Sequence, residues 1–268
     1  FLDIQNKPQY RVHTFYFNAN YYALMILFVE CMCIYKFFLA TTLKEHVYYT
    51  LAGVANLFAL FLTGGRVAWV GLAVGVVVMV FVNRWWKTLI AVLGAAGGAV
   101  GLLALKPGLI PRLAQRGFKL ERRRQIWQAA WLMIKDHGLF GGGPFAYYNW
   151  YEGYKDLYIA TYGLKSYKKY KLGISAPHAH TMFLEPFISF GVIGTLLIVT
   201  YIAMETSKVL KLITKNIDYT LASLILGCCA VTLSFCILDF PILWHQTGPF
   251  LFLMLGSADM YKKELKKC

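Results

Sequence analysis

Charged residues fall along this chain in blocks separated by long gaps. Val67 to Asn83, Thr88 to Leu105 and Tyr219 to Leu238 contain no Asp, Glu, Lys or Arg. At about 1.5 Å of rise per residue, a helix built from any of these runs crosses or nearly crosses a hydrocarbon layer roughly 30 Å thick. The same pattern predicts apolar spans at 21–40, 47–64, 67–83, 87–105, 182–204, 218–239 and 246–261. The first of them contains Glu30 and Lys36, and the last is short. One polar stretch, 106–180, interrupts the series.

Composition changes the picture by exclusion. Of 268 residues, 58% are hydrophobic and 15% charged, against about 25% charged in an ordinary soluble domain. That rules out a typical soluble enzyme and a disordered segment. Lys plus Arg number 27 and Asp plus Glu 13, for a net charge of +14. In a soluble chain this excess raises the question of nucleic acid. Here the apolar spans outrank that reading, and nucleic acid is not expected as a partner. Anionic membrane lipids and phosphorylated, lipid-linked substrates are. Cys31, Cys33, Cys228, Cys229 and Cys236 lie in apolar runs and Cys268 ends the chain. No paired CxxC spacing occurs, so packing is expected rather than zinc or a disulfide scaffold. The chain opens at Phe1 with no signal-peptide pattern and reads as part of a longer protein.

Connections after the first, third, fifth and seventh spans carry Lys44; Arg84 and Lys87; Lys208, Lys211 and Lys215; and Lys262, Lys263, Lys266 and Lys267. Short loops rich in Lys and Arg stay cytoplasmic. The alternation puts the chain start, Gly64-Gly65-Arg66 and the 106–180 segment on the outer face. That segment holds 13 Lys or Arg against four acidic residues, a net of +9. Orientation does not need this charge. Recruitment of an anionic ligand explains it. For individual lysines such as Lys165, Lys168, Lys169 and Lys171, solvation of a large loop is the preferred reading. The tyrosines from Tyr158 to Tyr170 suit a membrane interface.

Within the loop, Arg123 to Lys135 reads as an amphipathic helix. Trp127, Ala130, Trp131 and Ile134 recur at i, i+3, i+4 and i+7, with Arg123 one turn ahead on the same side. Arg124 lines up instead with Gln128 and Lys135. Such a helix is expected to lie flat at the outer membrane surface, both indoles in apolar surroundings. Gly141-Gly142-Gly143-Pro144 follows. With no Lys-Ser/Thr behind it, it is a weak phosphate-loop signal and reads as a turn that brings backbone close to a neighbour.

Several polar residues sit where they are costly. Arg66 stands at the mouth of a span, facing a cavity, a phosphate or, by snorkelling, the headgroups. Pro177-His178-Ala179-His180-Thr181 precedes the span that holds Glu185. Two histidines at i and i+2 have no third ligand at a familiar spacing, so no metal is expected. A neutral imidazole can act as a general base toward a hydroxyl. A lone histidine at a membrane edge is more often a hydrogen-bonding residue. The case for a base rests on its company, two arginines and a histidine all expected on the outer face.

Taken in order, these motifs resemble the O-antigen ligase and polymerase superfamily of bacterial membrane glycosyltransferases. The resemblance rests on Arg11-Val12-His13-Thr14-Phe15 through Asn18-Ala19-Asn20, and on Thr63-Gly64-Gly65-Arg66 with Trp69. It continues through Arg123-Arg124-Gln125-Ile126-Trp127, Met133-Ile134-Lys135-Asp136 and Gly141-Gly142-Gly143-Pro144. It ends on His178-Ala179-His180, Leu184-Glu185 and Phe190-Gly191-Val192-Ile193-Gly194. The family is about one and a half times this chain in size, which implies front spans not included here. Where the family has Asn after the second His, this sequence has Thr181.

The resemblance implies an all-α, polytopic transmembrane helical bundle of the GT-C-like kind. Spans would occupy 1–105 and 182–268, with an extracytoplasmic loop at 106–181. The implied activity, at the bacterial plasma membrane, is transfer of a glycan from an undecaprenyl-pyrophosphate carrier to an acceptor hydroxyl. No cofactor and no metal take part. Arg66, Arg123 and His180 are the implied catalytic set, with Arg122, Arg124, His178 and Glu185 as further substrate-binding candidates. The acceptor can be a glycan, a lipid or a protein, so ligase, repeat-unit polymerase and protein O-oligosaccharyltransferase all fit. A transporter is the rival from another class. Glu30 is its one supporting feature, and the internal repeats usual in transporters are not seen.

Overall fold

The computed structural model describes residues 18–85, 121–168, 174–243 and 246–261, together with Lys87, Ile90, Gly94 and Gly98. Outside the described residues lie the Arg11–Phe15 motif and most of the predicted span 87–105. Residues 106–120, Lys169, Lys171, the terminal lysines and Cys268 also lie outside them. Among the described residues all regular structure is helical. The chain divides into two compact units, one drawn from residues before 87 and after 200, the other from 87–200.

The first unit begins with α1 (Ala19–Leu39), whose first turn is closed by the Asn18 side chain accepting from the Asn20 N–H at 2.9 Å. α2 (Leu43–Thr63) starts on a reciprocal capping box between Thr42 and Glu45 and stops at Gly64, which takes a left-handed φ of 61°. After Gly65, α3 (Arg66–Val82) runs entirely apolar beyond its first residue. Glu30, awkward in a predicted span, leaves α1 unbroken. It is buried beside Gly53 of α2, where an added Cβ would stand 3.2 Å from its carboxylate. The absent side chain makes the room.

From the C-terminal half come the end of α8 (Glu185–Thr214), α9 (Tyr219–Cys236) and α10 (Gly248–Gly256). α9 packs along α3 and also meets α1. Two glycines allow the close approach. A Cβ on Gly75 would fall 2.6 Å from Val231 Cγ2, and one on Gly227 would fall 2.5 Å from Met79 Cγ. Small residues at a helix interface bring backbones together, which supplies packing where lipid offers no hydrophobic drive. Leu27, Phe28, Leu60, Met79, Val231 and Phe235 fill the core around the contact. Cys31, Cys33, Cys228 and Cys236 are buried free thiols, as their apolar setting predicts.

α1, α2, α8 and α9 are long and apolar enough to cross a membrane. With α3 beside them, the architecture is a helical membrane bundle. Two predicted spans change in shape. The 246–261 run is a nine-residue α10 followed by a 3-10 turn, too short to cross alone, because Pro249 and Gly256 bracket the helix. The span at 182–204 is instead α8, a 30-residue helix that starts at Glu185, carries a kink at Gly191 and runs on to Thr214.

Candidate functional site

The second unit is organised by α4 (Glu121–His137), a run of good helix formers that ends with Lys135 and His137 in its last turn. The short helices α5 (Ala146–Trp150), α6 (Lys155–Tyr162) and α7 (Leu164–Lys168) follow it. Its buried stripe is Ile126, Ala129, Ala130 and Met133, again at i, i+3, i+4 and i+7. The expected stripe through Trp127, Trp131 and Ile134 is displaced by about one residue. Trp131 is 50% exposed and Trp127 is half-buried. The physical reason is that the unit has a core of its own. Ala146, Tyr147, Tyr158, Ile174, Ala176, Ala179 and Ile188 pack on α4, and small residues fit there better than indoles. Trp131 faces outward, while Ile134 at the end of the expected stripe packs at the edge of this core.

That core also takes Tyr158, expected at a membrane interface, together with Tyr147; both are fully buried. The Tyr147 hydroxyl donates to the Ile174 carbonyl at 2.7 Å, and that of Tyr158 to Gln128 Oε1 at 3.0 Å. Gln125 on the next turn donates to the Ser166 carbonyl. Burial, and after it the Glu185 carboxylate, hold the Tyr147 phenol well above its ordinary pKa. Burial raises Tyr158 too, while Ser166 and the Arg124 charge pull the other way. Both phenols therefore remain protonated donors and do not act as bases.

Beyond α4 the chain passes through Gly138 to Gly143 and docks on a break in α8. Gly191 has φ 65° and ψ −173°, a conformation essentially restricted to glycine, so the helical ladder is interrupted there. The Ile188 and Ser189 carbonyls accept from the N–H groups of Gly142 (2.9 Å) and Gly143 (2.8 Å). In return the Val192 N–H donates to the Gly138 carbonyl at 2.7 Å, and that of Ile193 to Leu139 at 3.5 Å. The two segments exchange the hydrogen bonds a straight helix would keep to itself. Gly141 sits at φ 67°, and a Cβ there would lie 2.5 Å from the Gly191 nitrogen. The glycine run thus brings backbone against backbone, as the sequence suggests, and the neighbour is this kink.

Six residues before the kink stands Glu185, fully buried. One of its carboxylate oxygens accepts from the Ala179 N–H at 2.6 Å and the other from the Ser189 hydroxyl at 2.9 Å. This anchors the histidine turn. The His180 N–H donates to His178 Nδ1 at 3.1 Å, so His178 is the neutral tautomer with its proton on Nε2. The rings stand 4.1 Å apart between centroids. His178 is buried and His180 half-exposed. His180 adopts φ 54°, a left-handed conformation that costs a non-glycine residue about 1–3 kcal/mol and is held by its surroundings. Thr181, buried, turns its hydroxyl to the Phe183 N–H at 3.4 Å and its carbonyl to the Glu185 N–H at 3.1 Å. It closes the turn into α8.

Of the residues singled out in the sequence, His178, His180 and Glu185 are brought into one hydrogen-bonded turn. Arg122, Arg123 and Arg124 occupy the first turn of α4, with Arg123 half-exposed and Arg124 exposed. Arg66 is the first residue of α3, in the other unit. Ser189 escapes notice in the sequence, and Gly191 enters there only as part of the Phe190–Gly194 motif, not as a kink. The signal for Ser189 is its position one turn after Glu185 in an otherwise apolar run.

A comparison of the sequence with protein families matches the O-Antigen ligase model over residues 51–199. A comparison with curated proteins gives no match. The matched stretch takes in Arg66, all of α4, the glycine run, the histidine turn and the kink of α8, more than half of the chain. On that match, and on the helical membrane architecture around it, the chain belongs to the O-antigen ligase family.

Proposed function

We propose that this protein transfers a glycan from an undecaprenyl-pyrophosphate carrier to an acceptor hydroxyl, on the extracytoplasmic face of the bacterial plasma membrane. His180 takes the proton of the acceptor hydroxyl as its oxygen attacks the anomeric carbon from the face opposite the phosphate. The new glycosidic C–O bond forms while the sugar–phosphate bond breaks. Its electron pair leaves on the phosphate oxygen, releasing undecaprenyl pyrophosphate. Arg66 and Arg123 stabilise the charge that grows there, since guanidinium groups are planar, permanently charged and matched to phosphate oxygens. Arg122 and Arg124 extend the positive field of the same helix turn toward the donor. Residues 106–180 carry the net +9 that recruits it.

The observation that carries this reading is the histidine turn. Glu185 fixes the Ala179 backbone, His178 Nδ1 accepts from the His180 N–H, and His180 itself is a strained left-handed residue. Active sites place bases in this way, on backbone that its surroundings hold away from its relaxed form. In this reading His178 is a positioning residue.

The test uses purified protein in vesicles with an undecaprenyl-pyrophosphate-linked glycan, no ion gradient and a candidate acceptor. Release of undecaprenyl pyrophosphate is measured. His180→Ala is expected to abolish transfer and leave donor binding intact, because the base acts on the acceptor. Arg123→Lys should cut turnover by about 10-fold or more, keeping charge but losing the two-pronged contact. Equal activity of His180→Ala and parent at matched protein levels removes histidine from the mechanism.

A further inference from the structure

The glycine-run tip is an anomaly in its own loop. Within a segment of net charge +9, residues 138–145 read Gly-Leu-Phe-Gly-Gly-Gly-Pro-Phe, without one polar side chain. Leu139 is 57% exposed and Phe140 73%. Neither joins the core of the second unit. Two large apolar side chains held out in water have no stabilising purpose there.

Their place along α8 explains them. The charge-free part of that helix runs from Pro186 to Met204, about 28 Å at 1.5 Å per residue and close to the hydrocarbon thickness. Val192 and Ile193, which hold the tip, lie seven and eight residues after Glu185, about 10–12 Å along the axis. Val192, Ile193, Leu196 and Leu197 are exposed on the same helix. The apolar surface of the tip thus continues the outward surface of a helix able to span a membrane. The backbone meets the same requirement. Irregular chain is tolerated at membrane depth only where its polar groups find partners. The Gly138 carbonyl and the Gly142 and Gly143 N–H groups find theirs in the exchange with α8, as the Gly141 N–H does in the His137 carbonyl.

We infer that Leu139 and Phe140 are immersed among the acyl chains of the bilayer, so that the loop unit carries a re-entrant tip that enters the hydrocarbon layer beside the kink of α8. This inference does not depend on the glycan-transfer reading. A Phe140→Trp variant of the full chain, reconstituted in phosphatidylcholine–phosphatidylglycerol vesicles, tests it. Its emission minus that of the parent reports residue 140 alone. With lipids brominated along the acyl chain, the added emission is expected to be lost, and aqueous iodide should leave it unchanged. Quenching by iodide without quenching by brominated lipid places the tip in water and overturns the inference. Quenching by neither shows that another protein surface covers the tip and overturns it as well. If Phe140→Trp does not fold, as judged by helix content, Leu139→Trp gives the same readings.

Discussion

Replacing Gly191 by Ala asks the docked kink to survive without the residue that permits it. In place, a Cβ would stand 2.3 Å from the Leu139 carbonyl oxygen and 2.6 Å from the Phe140 carbonyl carbon, both backbone atoms that cannot rotate away. Alanine at this φ and ψ also carries about 1–3 kcal/mol of backbone strain. The chain can escape by straightening. The Val192 and Ile193 N–H groups then return to the Ile188 and Ser189 carbonyls, and α8 loses nothing. The docked segment loses its partners for two N–H groups, Gly142 and Gly143, and two carbonyls, Gly138 and Leu139. The Ile193–Leu139 bond is long at 3.5 Å and counts for little. At roughly 1 kcal/mol per bond, the three good bonds lost are offset by the two that α8 regains, so undocking costs only about 1 kcal/mol in hydrogen bonds. Staying docked costs the alanine variant the backbone strain, at its upper end because the Cβ also meets backbone atoms. Opening relieves it, so Gly191→Ala is expected to lower the opening free energy of the segment by about 3 kcal/mol. At 1.4 kcal/mol per tenfold, this is on the order of a hundredfold loss of amide protection. Hydrogen exchange read by mass spectrometry on peptides covering 138–145 measures it. Gly256→Ala, where a Cβ meets nothing within 4 Å, is the control and should leave protection unchanged. Protection at Gly142 and Gly143 within about threefold of the parent in Gly191→Ala would refute the exchanged hydrogen bonds as the source of docking.

Two further outcomes follow from groups described above. Glu185→Ala removes the acceptor of the Ala179 N–H and the Ser189 hydroxyl in a fully buried place, and should destabilise the histidine turn by about 1–3 kcal/mol. Glu185→Gln keeps an acceptor and should retain more transfer activity in the vesicle assay; a Gln variant no better than Ala would show that the carboxylate does more than hold the turn. Asp218 caps α9 and accepts from the Leu221 N–H, the Thr220 hydroxyl and the Tyr261 hydroxyl. Burial raises its pKa, but these hydrogen bonds outweigh it and hold the carboxyl below its ordinary value of 3.8. A depressed folded-state pKa gives stability that is present above the unfolded value and lost as pH falls through the folded one. Thermal midpoints in detergent should therefore drop for the parent as pH falls below about 4. Asp218→Asn keeps a cap acceptor but loses the charge that strengthens these bonds and faces the helix N-terminus, so it should be less stable at neutral pH, by roughly 0.3–1 kcal/mol, and flatter across the acid range. An Asn variant with the parent's acid limb would clear Asp218 of that role.

The sequence is a good guide to which residues enter α1, α2, α3 and α9, since an apolar run near 20 residues with few or no charges has few other solutions. It places α4 correctly but not its buried face. Stripes one residue apart, through Ile126 and Ala129 or through Trp127 and Trp131, both satisfy the helical period and share Ala130. Which of them packs depends on Tyr147, Tyr158 and Ile188, and no local pattern brings those residues to the helix. The candidate histidines and Glu185 stand out by being polar beside a span. Their joint turn does not, because it depends on a left-handed His180 and on a backbone N–H as the partner of the carboxylate. The glycine run shows that something must come close. That the neighbour is a kink at Gly191 follows only from hydrogen bonds between segments about 50 residues apart.

The fit of α3 against α9 through Gly75 and Gly227 has a consequence for biosynthesis. About 140 residues separate Val82 from Tyr219, which at ~5–20 residues per second takes on the order of ten seconds to translate. For that interval the notched face of α3 is in the membrane with its eventual partner not yet made. Lipid, α1 or the insertion machinery must shield Gly75 in the meantime. The first unit, drawn from both ends of the chain, completes its packing only when α9 arrives, so a ribosome that stalls before Tyr219 releases an unfinished bundle that quality control can recognise.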